Sequence, residues 1–472
     1  MVFSSTIFLF VFLPLVLLCY YAIPGKWAKN IVLLIFSLVF YGWGEPRLLV
    51  LMVVSLLANY LFGLLIHQSH LKDKKGRAWL WLSVIFNIGL LFYFKYFTFA
   101  AQSLAALIKA NWVIREIALP IGISFYTFQG MSYVIDVYRE DITLKPMVQK
   151  NPIKVALYIS MFPQLIAGPI VRYEDVLPYL DKREHTLERF TQGIEVFIIG
   201  LSKKVIFANL LGEVATSLME TNAGMIGTPH AWLGAICYTM QIFYDFSGYS
   251  EMAIGLGKMF GFEFMQNFNF PYISRSITEF WRRWHISLSG WFRDYLYIPL
   301  GGNRRGNVYF NLFVVFLATG IWHGADWGFI IWGLWHGAFM LIERILKKHP
   351  LPLKLPKALA APLGWAYSML VVVLGWVLFR IVDLGATIDY IKLMFGFGNP
   401  EFVRYGVMYY LNARTLTVLI AALICCVPWK NVIKLKGTWF VFVRRIVLLV
   451  LFVISFMLIT NSTYNPFIYF RF

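Results

Sequence analysis

Residues 308–344 read VYFNLFVVFLATGIWHGADWGFIIWGLWHGAFMLIER. Two apolar arms flank the turn HGADWG at 323–328. The first arm, Val308 to Trp322, has 15 residues. As a helix it reaches about 22 Å, short of the roughly 30 Å hydrocarbon core of a bilayer. The turn therefore falls inside the membrane thickness, with His323 at the tip of a buried hairpin, at the floor of an extracytoplasmic pit. A titratable imidazole at that depth is costly unless it faces a cavity or a partner, so it marks a functional site.

The rest of the chain fits a membrane setting. Its 472 residues are 59% hydrophobic and 18% aromatic, with a mean hydropathy of +0.67. Only 14% are charged, against roughly a quarter in soluble domains. Apolar stretches long enough to span lie near 3–23, 30–44, 46–66, 78–96, 118–137, 192–214, 232–258, 362–382, 408–428 and 443–460, beside the pair in 308–344. The expected fold is an all-α polytopic membrane protein of about 11–12 spans, one membrane-embedded domain over 1–472. No polar stretch is long enough to hold a soluble domain.

The net charge is +18. Lys and Arg collect in Lys26/Lys29, Lys72–Arg77, Arg139–Lys154, Arg344–Lys357 and Lys430–Arg445. Segments 97–113, 215–231 and 383–403 are poor in them. Basic loops stay cytoplasmic and attract anionic lipid headgroups. This puts the N-terminus outside, and the C-terminal PFIYFRF (466–472) outside as well. A nucleic-acid partner is excluded, because it would need a basic face on a soluble module. The N-terminal apolar run lacks a basic leader and a small-x-small cleavage site, so it reads as a retained first span. Cys19, Cys237, Cys425 and Cys426 have no metal-ligand or redox spacing.

Two segments depart from simple spans. Residues 155–171 are apolar but short, carry Pro163, Gly168 and Pro169, and are flanked by basic loops. They read as a re-entrant element, which is tolerated where protein or a cavity surrounds it. Residues 262–306 are too charged to span and too apolar for a free loop, and read as a cytoplasmic interfacial layer.

Of eight histidines, His67, His70, His185 and His349 accompany charged loops and His230 lies in a polar loop. These five read as solvated. His285, His323 and His336 remain. His285 stands in FWRRWHISLSGWFRDYLYIPLGG (280–302) with Arg282, Arg283 and Arg293. Arginine matches phosphate in a planar, bidentate way, so this layer reads as a site for an anionic nucleotide or thioester; the bland alternative is arginines snorkelling to lipid phosphates. His323 has Asp326 three residues on. If the backbone stays helical, that carboxylate reaches the imidazole and fixes its tautomer. His336 follows His323 by 13 residues, about 140° away in projection on one continuous helix. The pair therefore does not read as a metal site, and His336 reads as a packing or supporting residue. Asp245 and Glu251 are expected to ion-pair with the 262–306 layer. Asn267 and Asn269 are expected to pin loop backbone. No G-x-S-x-G, Walker or HExxH pattern occurs.

The ordered set SFYTFQGMSYVIDVYR, FPQLIAGPI, YDFSGYSEMAIGLG, FWRRWHISLSGWFRDYLYIPLGGNRRG and TGIWHGADWGFIIWGLWHG, with MVFSSTIFLFVFLPL at the start and PFIYFRF at the end, resembles the membrane-bound O-acyltransferase (MBOAT) superfamily. The likeness covers nearly the whole chain. It is closest to the bacterial polysaccharide branch, which holds the membrane subunits of alginate and peptidoglycan O-acetylation. It implies re-entrant and interfacial helices around a central funnel or tunnel, in the bacterial cytoplasmic (inner) membrane. It implies that His323 is the essential histidine and that His285 fills the second family position. It also implies acetyl-CoA or another acyl thioester as donor substrate, with no permanently bound cofactor. The acceptor side would be an extracytoplasmic polysaccharide, or a secreted or membrane-anchored acetyltransferase partner. In this reading Arg282, Arg283 and Arg293 hold the donor. Trp322, with Trp327, Trp332 and Trp335, walls the site, while Asp326 and His336 support it.

Two rivals share these residues. A transporter or channel for an acyl donor would also need many spans and re-entrant elements, but no internal hydropathy repeat is visible. A lipid or protein acyltransferase would use the same histidines on a different acceptor.

Overall fold

The computed structural model describes all residues except 141–146, 350–355, 399, 401, 430–436, 462–463, 466 and 469–472. Most of PFIYFRF and parts of the basic segments 139–154, 344–357 and 430–445 thus lie outside the described residues. Among the described residues all secondary structure is helical. Every apolar segment expected to span carries a helix. Among the described residues, five helices are long and apolar enough to cross a membrane: Leu49–His70, Arg77–Leu107, Trp327–Lys348, Ala358–Arg380 and Trp439–Asn461. Phe8–Ala22, Val308–His323 and Ala413–Cys425 are shorter apolar helices. The last long helix leaves Trp439, Phe442, Leu449 and Met457 exposed, as a lipid-facing surface requires. This is a multi-pass membrane protein.

The chain divides into two compact units, one of Met1–Phe197 and Ser250–Met265, the other of Ile198–Tyr249 and Gln266–Arg471. In lipid, apolar burial does not pull helices together, so small residues and hydrogen bonds must. The first unit uses both. Asn59 and Asn87 exchange side-chain hydrogen bonds of 3.2 and 2.8 Å between helices Leu49–His70 and Arg77–Leu91. Helix Ile123–Tyr138 comes so close that a methyl group on Gly130 would lie 2.6 Å from Asn59 Nδ2. Segment 155–171 forms two short helices, Pro152–Ser160 and Phe162–Leu165, separated at Met161. Non-helical backbone at membrane depth needs internal partners. Here Phe162 N donates to Ser37 Oγ at 3.0 Å, and Gln164 Nε2 donates to the Tyr158 carbonyl at 2.7 Å. His185 is not simply solvated: its Nε2 pairs with Tyr20 Oη at 2.8 Å.

In the second unit, a π-helical turn at Lys203–Asn209 carries Lys204 into an ion pair with Asp245 at 2.5 Å, both about 1% exposed. Asp245 Oδ2 also accepts from Ile468 N. The expected partner from the 262–306 layer is therefore replaced by Lys204. His230 is buried, with Nε2 bonded to the Tyr405 carbonyl at 2.9 Å, so it too departs from the solvated reading. Residues 266–306 fold as short pieces: a turn at Pro271–Ile273 and helices Ile277–Arg283 and Ile286–Phe292. Ser276 caps the first of these helices through Glu279 N.

Candidate active site

The 308–344 hairpin belongs wholly to the second unit. Asn307 Oδ1 caps helix Val308–His323 by accepting from Tyr309 N and Phe310 N. The helix stops at His323 because Gly324 is fully extended (φ −174°, ψ 159°). Asp326, also extended, then starts helix Trp327–Lys348 by accepting from Gly328 N at 3.0 Å. The two arms cross at glycines. A methyl group on Gly320 would meet the Phe329 carbonyl oxygen at 2.6 Å, and one on Gly333 would meet that of Phe316 at 2.5 Å. Only side chains reduced to hydrogen permit that approach.

This geometry corrects two expectations. The helix does not continue past His323, so Asp326 turns to the Gly328 amide as a helix cap and not to the imidazole. His336 also does not sit on one helix with His323. The turn brings both rings against Trp332, at centroid distances of 4.9 and 5.2 Å.

His323 is 3% exposed. Its ring lies edge-on to Trp322 (4.8 Å), Trp332 (4.9 Å) and Phe379 (5.2 Å). Of the four tryptophans expected to wall it, Trp322 and Trp332 do so. Trp335 donates Nε1–H to the Val371 carbonyl, and Trp327 is exposed. Phe379, from helix Lys357–Arg380, is an unexpected wall residue. His336 is fully buried among Phe280, Trp281, Trp332 and Trp376. Among the described residues neither of its ring nitrogens has a hydrogen-bond partner.

His285 reaches the same cluster from the interfacial layer. Its ring packs edge-on against Phe246 at 4.6 Å and lies 6.0 Å from Trp322, so one indole touches both His285 and His323. His285 adopts a left-handed backbone (φ 43°, ψ 55°), a strained conformation for a residue with a side chain. Its Nδ1 lies 3.1 Å from Asn267 Oδ1. Burial pushes the His285 imidazole down to about 3. Asn267 pins backbone with its side chain, its Oδ1 accepting from Ser287 N at 3.2 Å; Asn269 is engaged through its main chain, its N donating to the Arg283 carbonyl at 2.9 Å.

A cavity of about 860 Å³ opens beside this cluster. Arg275, Arg282, Arg293, Arg344 and Lys347 supply its cations beside one carboxylate, Glu343, and Trp281 and Phe316 form an apolar wall. Trp281 is 5.7 Å from Trp332, which in turn touches His323. Two indoles, Trp281 and Trp332, thus separate the cation-lined cavity from the buried histidine. Of the three arginines expected for the donor, Arg282 and Arg293 line the cavity. Arg283 does not; its guanidinium bonds Glu279 and the Asn269 carbonyl. Arg293 is itself paired with Asp294 at 2.7 Å. Arg275, Arg344 and Lys347 were missed. Arg344 stands eight residues after His336 on one helix, and that spacing was the available signal. Among the described residues no cluster of His, Cys, Asp and Glu could hold a metal.

The fold defines a multi-pass membrane protein with a buried histidine–tryptophan cluster in its second unit. Residues 145–380 match the MBOAT, membrane-bound O-acyltransferase family. The chain is 41% identical over 497 residues to the probable alginate O-acetylase AlgI of Pseudomonas putida, covering 100% of each. It is 34% identical to the peptidoglycan O-acetyltransferase of Helicobacter pylori, covering 100% of this chain and 98% of that one. The teichoic acid D-alanyltransferase of Bacillus subtilis is 32% identical over 244 residues, 48% of this chain and 60% of that one. The chain belongs to the membrane-bound O-acyltransferase family, in its bacterial polysaccharide O-acetylation branch, and is an acyltransferase of the bacterial inner membrane.

Proposed function

We propose that this protein moves an acetyl group from cytoplasmic acetyl-CoA toward hydroxyls of an extracytoplasmic polysaccharide, an alginate-like or cell-wall glycan, with a secreted or membrane-anchored partner completing the transfer. The observation that carries this reading is the cation-lined cavity whose Trp281 wall contacts Trp332, the indole against His323. The polyanionic part of the donor rests on Arg282 and Arg293, joined by Arg275, Arg344 and Lys347, since guanidinium groups match phosphate oxygens in pairs. The thioester passes the apolar wall toward His323. The imidazole of His323 accepts the proton of the acceptor hydroxyl as that oxygen attacks the thioester carbonyl carbon. The carbon–sulfur bond breaks, and the thiolate leaves with the proton returned by His323. Trp322, Trp332 and Phe379 exclude water that would otherwise hydrolyse the donor. His285 orients the donor, His336 packs behind Trp332, and Asp326 holds the hairpin's turn. The names of the full-length relatives support a polysaccharide acceptor.

The test is the acetyl-ester content of each extracytoplasmic polysaccharide in a deletion strain complemented with wild type or His323→Ala. Esters restored to one polymer by wild type alone support the proposal and name the acceptor. Equal restoration by His323→Ala, with both proteins present in the membrane, refutes it. Purified protein that moves labelled donor across a vesicle without consuming thioester would indicate transport instead.

A further inference from the structure

The bonds around His285 decide which of its nitrogens carries the proton. Three groups converge on Asn267 Oδ1: Ser287 N at 3.2 Å, Ser287 Oγ at 2.8 Å and His285 Nδ1 at 3.1 Å. A backbone N–H can only donate. The Asn267 atom facing Ser287 N is therefore its carbonyl oxygen, and the amide orientation is fixed. Ser287 Oγ also lies 3.4 Å from His285 Nδ1, but its one hydrogen goes to Asn267 Oδ1 at the shorter 2.8 Å; the Asn267 oxygen accepts and never donates, so the Nδ1 it faces carries a hydrogen. A neutral imidazole has one such hydrogen, which leaves Nε2 as a bare lone pair. His285 Nε2 is buried with no hydrogen-bond partner among the described residues. Leaving a buried acceptor unpaired destabilises a fold, and here it coincides with left-handed backbone at the same residue. Asn267 maintains both features, because its main-chain oxygen also holds Ile286 N.

We infer that Asn267 is a positioning residue that locks His285 in the Nδ1–H form, so that Nε2 accepts a hydrogen bond from a substrate N–H or O–H. The inference deepens the proposed acyl transfer and rests on it only for the identity of that substrate. The neutral state that a lone pair requires is consistent with the depressed basicity of this buried imidazole. Residues that orient a metal-bound histidine through its other ring nitrogen change activity by about 10–100-fold when lost, and a loss of that order is expected here.

The experiment uses full-length protein in nanodiscs with ¹⁵N-labelled histidine, and assigns the His285 signals by their loss in His285→Gln. Wild type should show a protonated Nδ1 and an unprotonated Nε2. Asn267→Leu, close in size but without the acceptor, should shift His285 toward the other tautomer and lower acetyl transfer about 10–100-fold. Ser287→Ala keeps two of the three donors and should keep the wild-type tautomer, which separates proton placement from simple loosening of the loop. A wild-type spectrum with the proton on Nε2 overturns the inference, and so does folded Asn267→Leu with unchanged activity. If Asn267→Leu does not fold, the wild-type spectrum alone decides. The spectrum reads the resting protein, so failure of the acetylation test with His323→Ala would leave this assignment standing.

Discussion

Replacing Gly333 with alanine tests whether the histidine hairpin is held by glycine-distance packing. The added methyl carbon would sit 2.5 Å from the Phe316 carbonyl oxygen and 2.9 Å from Gly320 Cα, where ordinary contact begins at 3.4 Å. Both obstacles are backbone, so no rotamer change relieves them, and the arms must part by the difference. Overpacking of this kind destabilises by about 1–3 kcal/mol, or a drop in Tm of about 1–3 °C for a chain of this length. Gly320 lies three residues before His323, so the same separation moves the imidazole. A displacement near 1 Å can lower an enzyme's rate by about 100-fold. The assay is thermal unfolding in detergent, together with acetyl transfer in complemented cells. Gly89→Ala is the control. It sits in helix Arg77–Leu91 with nothing within 4 Å of the new carbon, so it should stabilise by about 0.5–1 kcal/mol and leave activity unchanged. A Gly333→Ala protein with unchanged Tm and activity would refute the packing argument.

Two further outcomes follow from the site. Asp326→Ala removes the cap on Gly328 N and should destabilise by about 0.5–2 kcal/mol while acetyl transfer stays within several-fold of wild type; a loss as deep as that of His323→Ala would mean the carboxylate acts on the imidazole after all. The folded His285 titrates near 3 and an exposed imidazole near 6.5, so below pH 6.5 the unfolded chain takes up a proton that the folded chain refuses. The stability contributed by neutral His285 is therefore full above pH 6.5 and declines as pH falls toward 3. Unfolding midpoints measured across this range should fall less steeply in His285→Gln, and an identical slope in the two proteins would contradict the assignment.

The parts of the site that could be read from the sequence are those decided within one or two helical turns. The short first arm put His323 at a turn because Gly324 and Asp326 interrupt the apolar pattern. The same residues were then misread in detail. An aspartate ahead of Trp327 and Gly328 is an N-cap signature, and a capping carboxylate is committed to backbone. The expectation that it reached His323 required a helix that Gly324 had already ended. Arg283 failed for a similar reason. Neighbours on a helix point about 100° apart, and Arg283 turns away from the cavity that Arg282 lines. Glu279, one turn back, holds Arg283 away from it.

The remaining residues act across sequence separations that no local pattern encodes. Phe379 completes the wall of His323 from helix Lys357–Arg380, and its apolar run alone could not indicate which face would meet the hairpin. Arg275 and Arg344 lie on opposite ends of a long stretch and meet only because Glu343 accepts from Ile277 N and Thr278 N. That carboxylate ties the hairpin's second arm to the helix bearing Arg282. Asn267 is the clearest case. It stands 18 residues before His285, and its oxygen can collect Nδ1 and the Ser287 amide together only when His285 takes the left-handed backbone. A loop asparagine in the sequence therefore reads as a turn former. It becomes a tautomer-setting residue only through a strained conformation that its own bonds maintain.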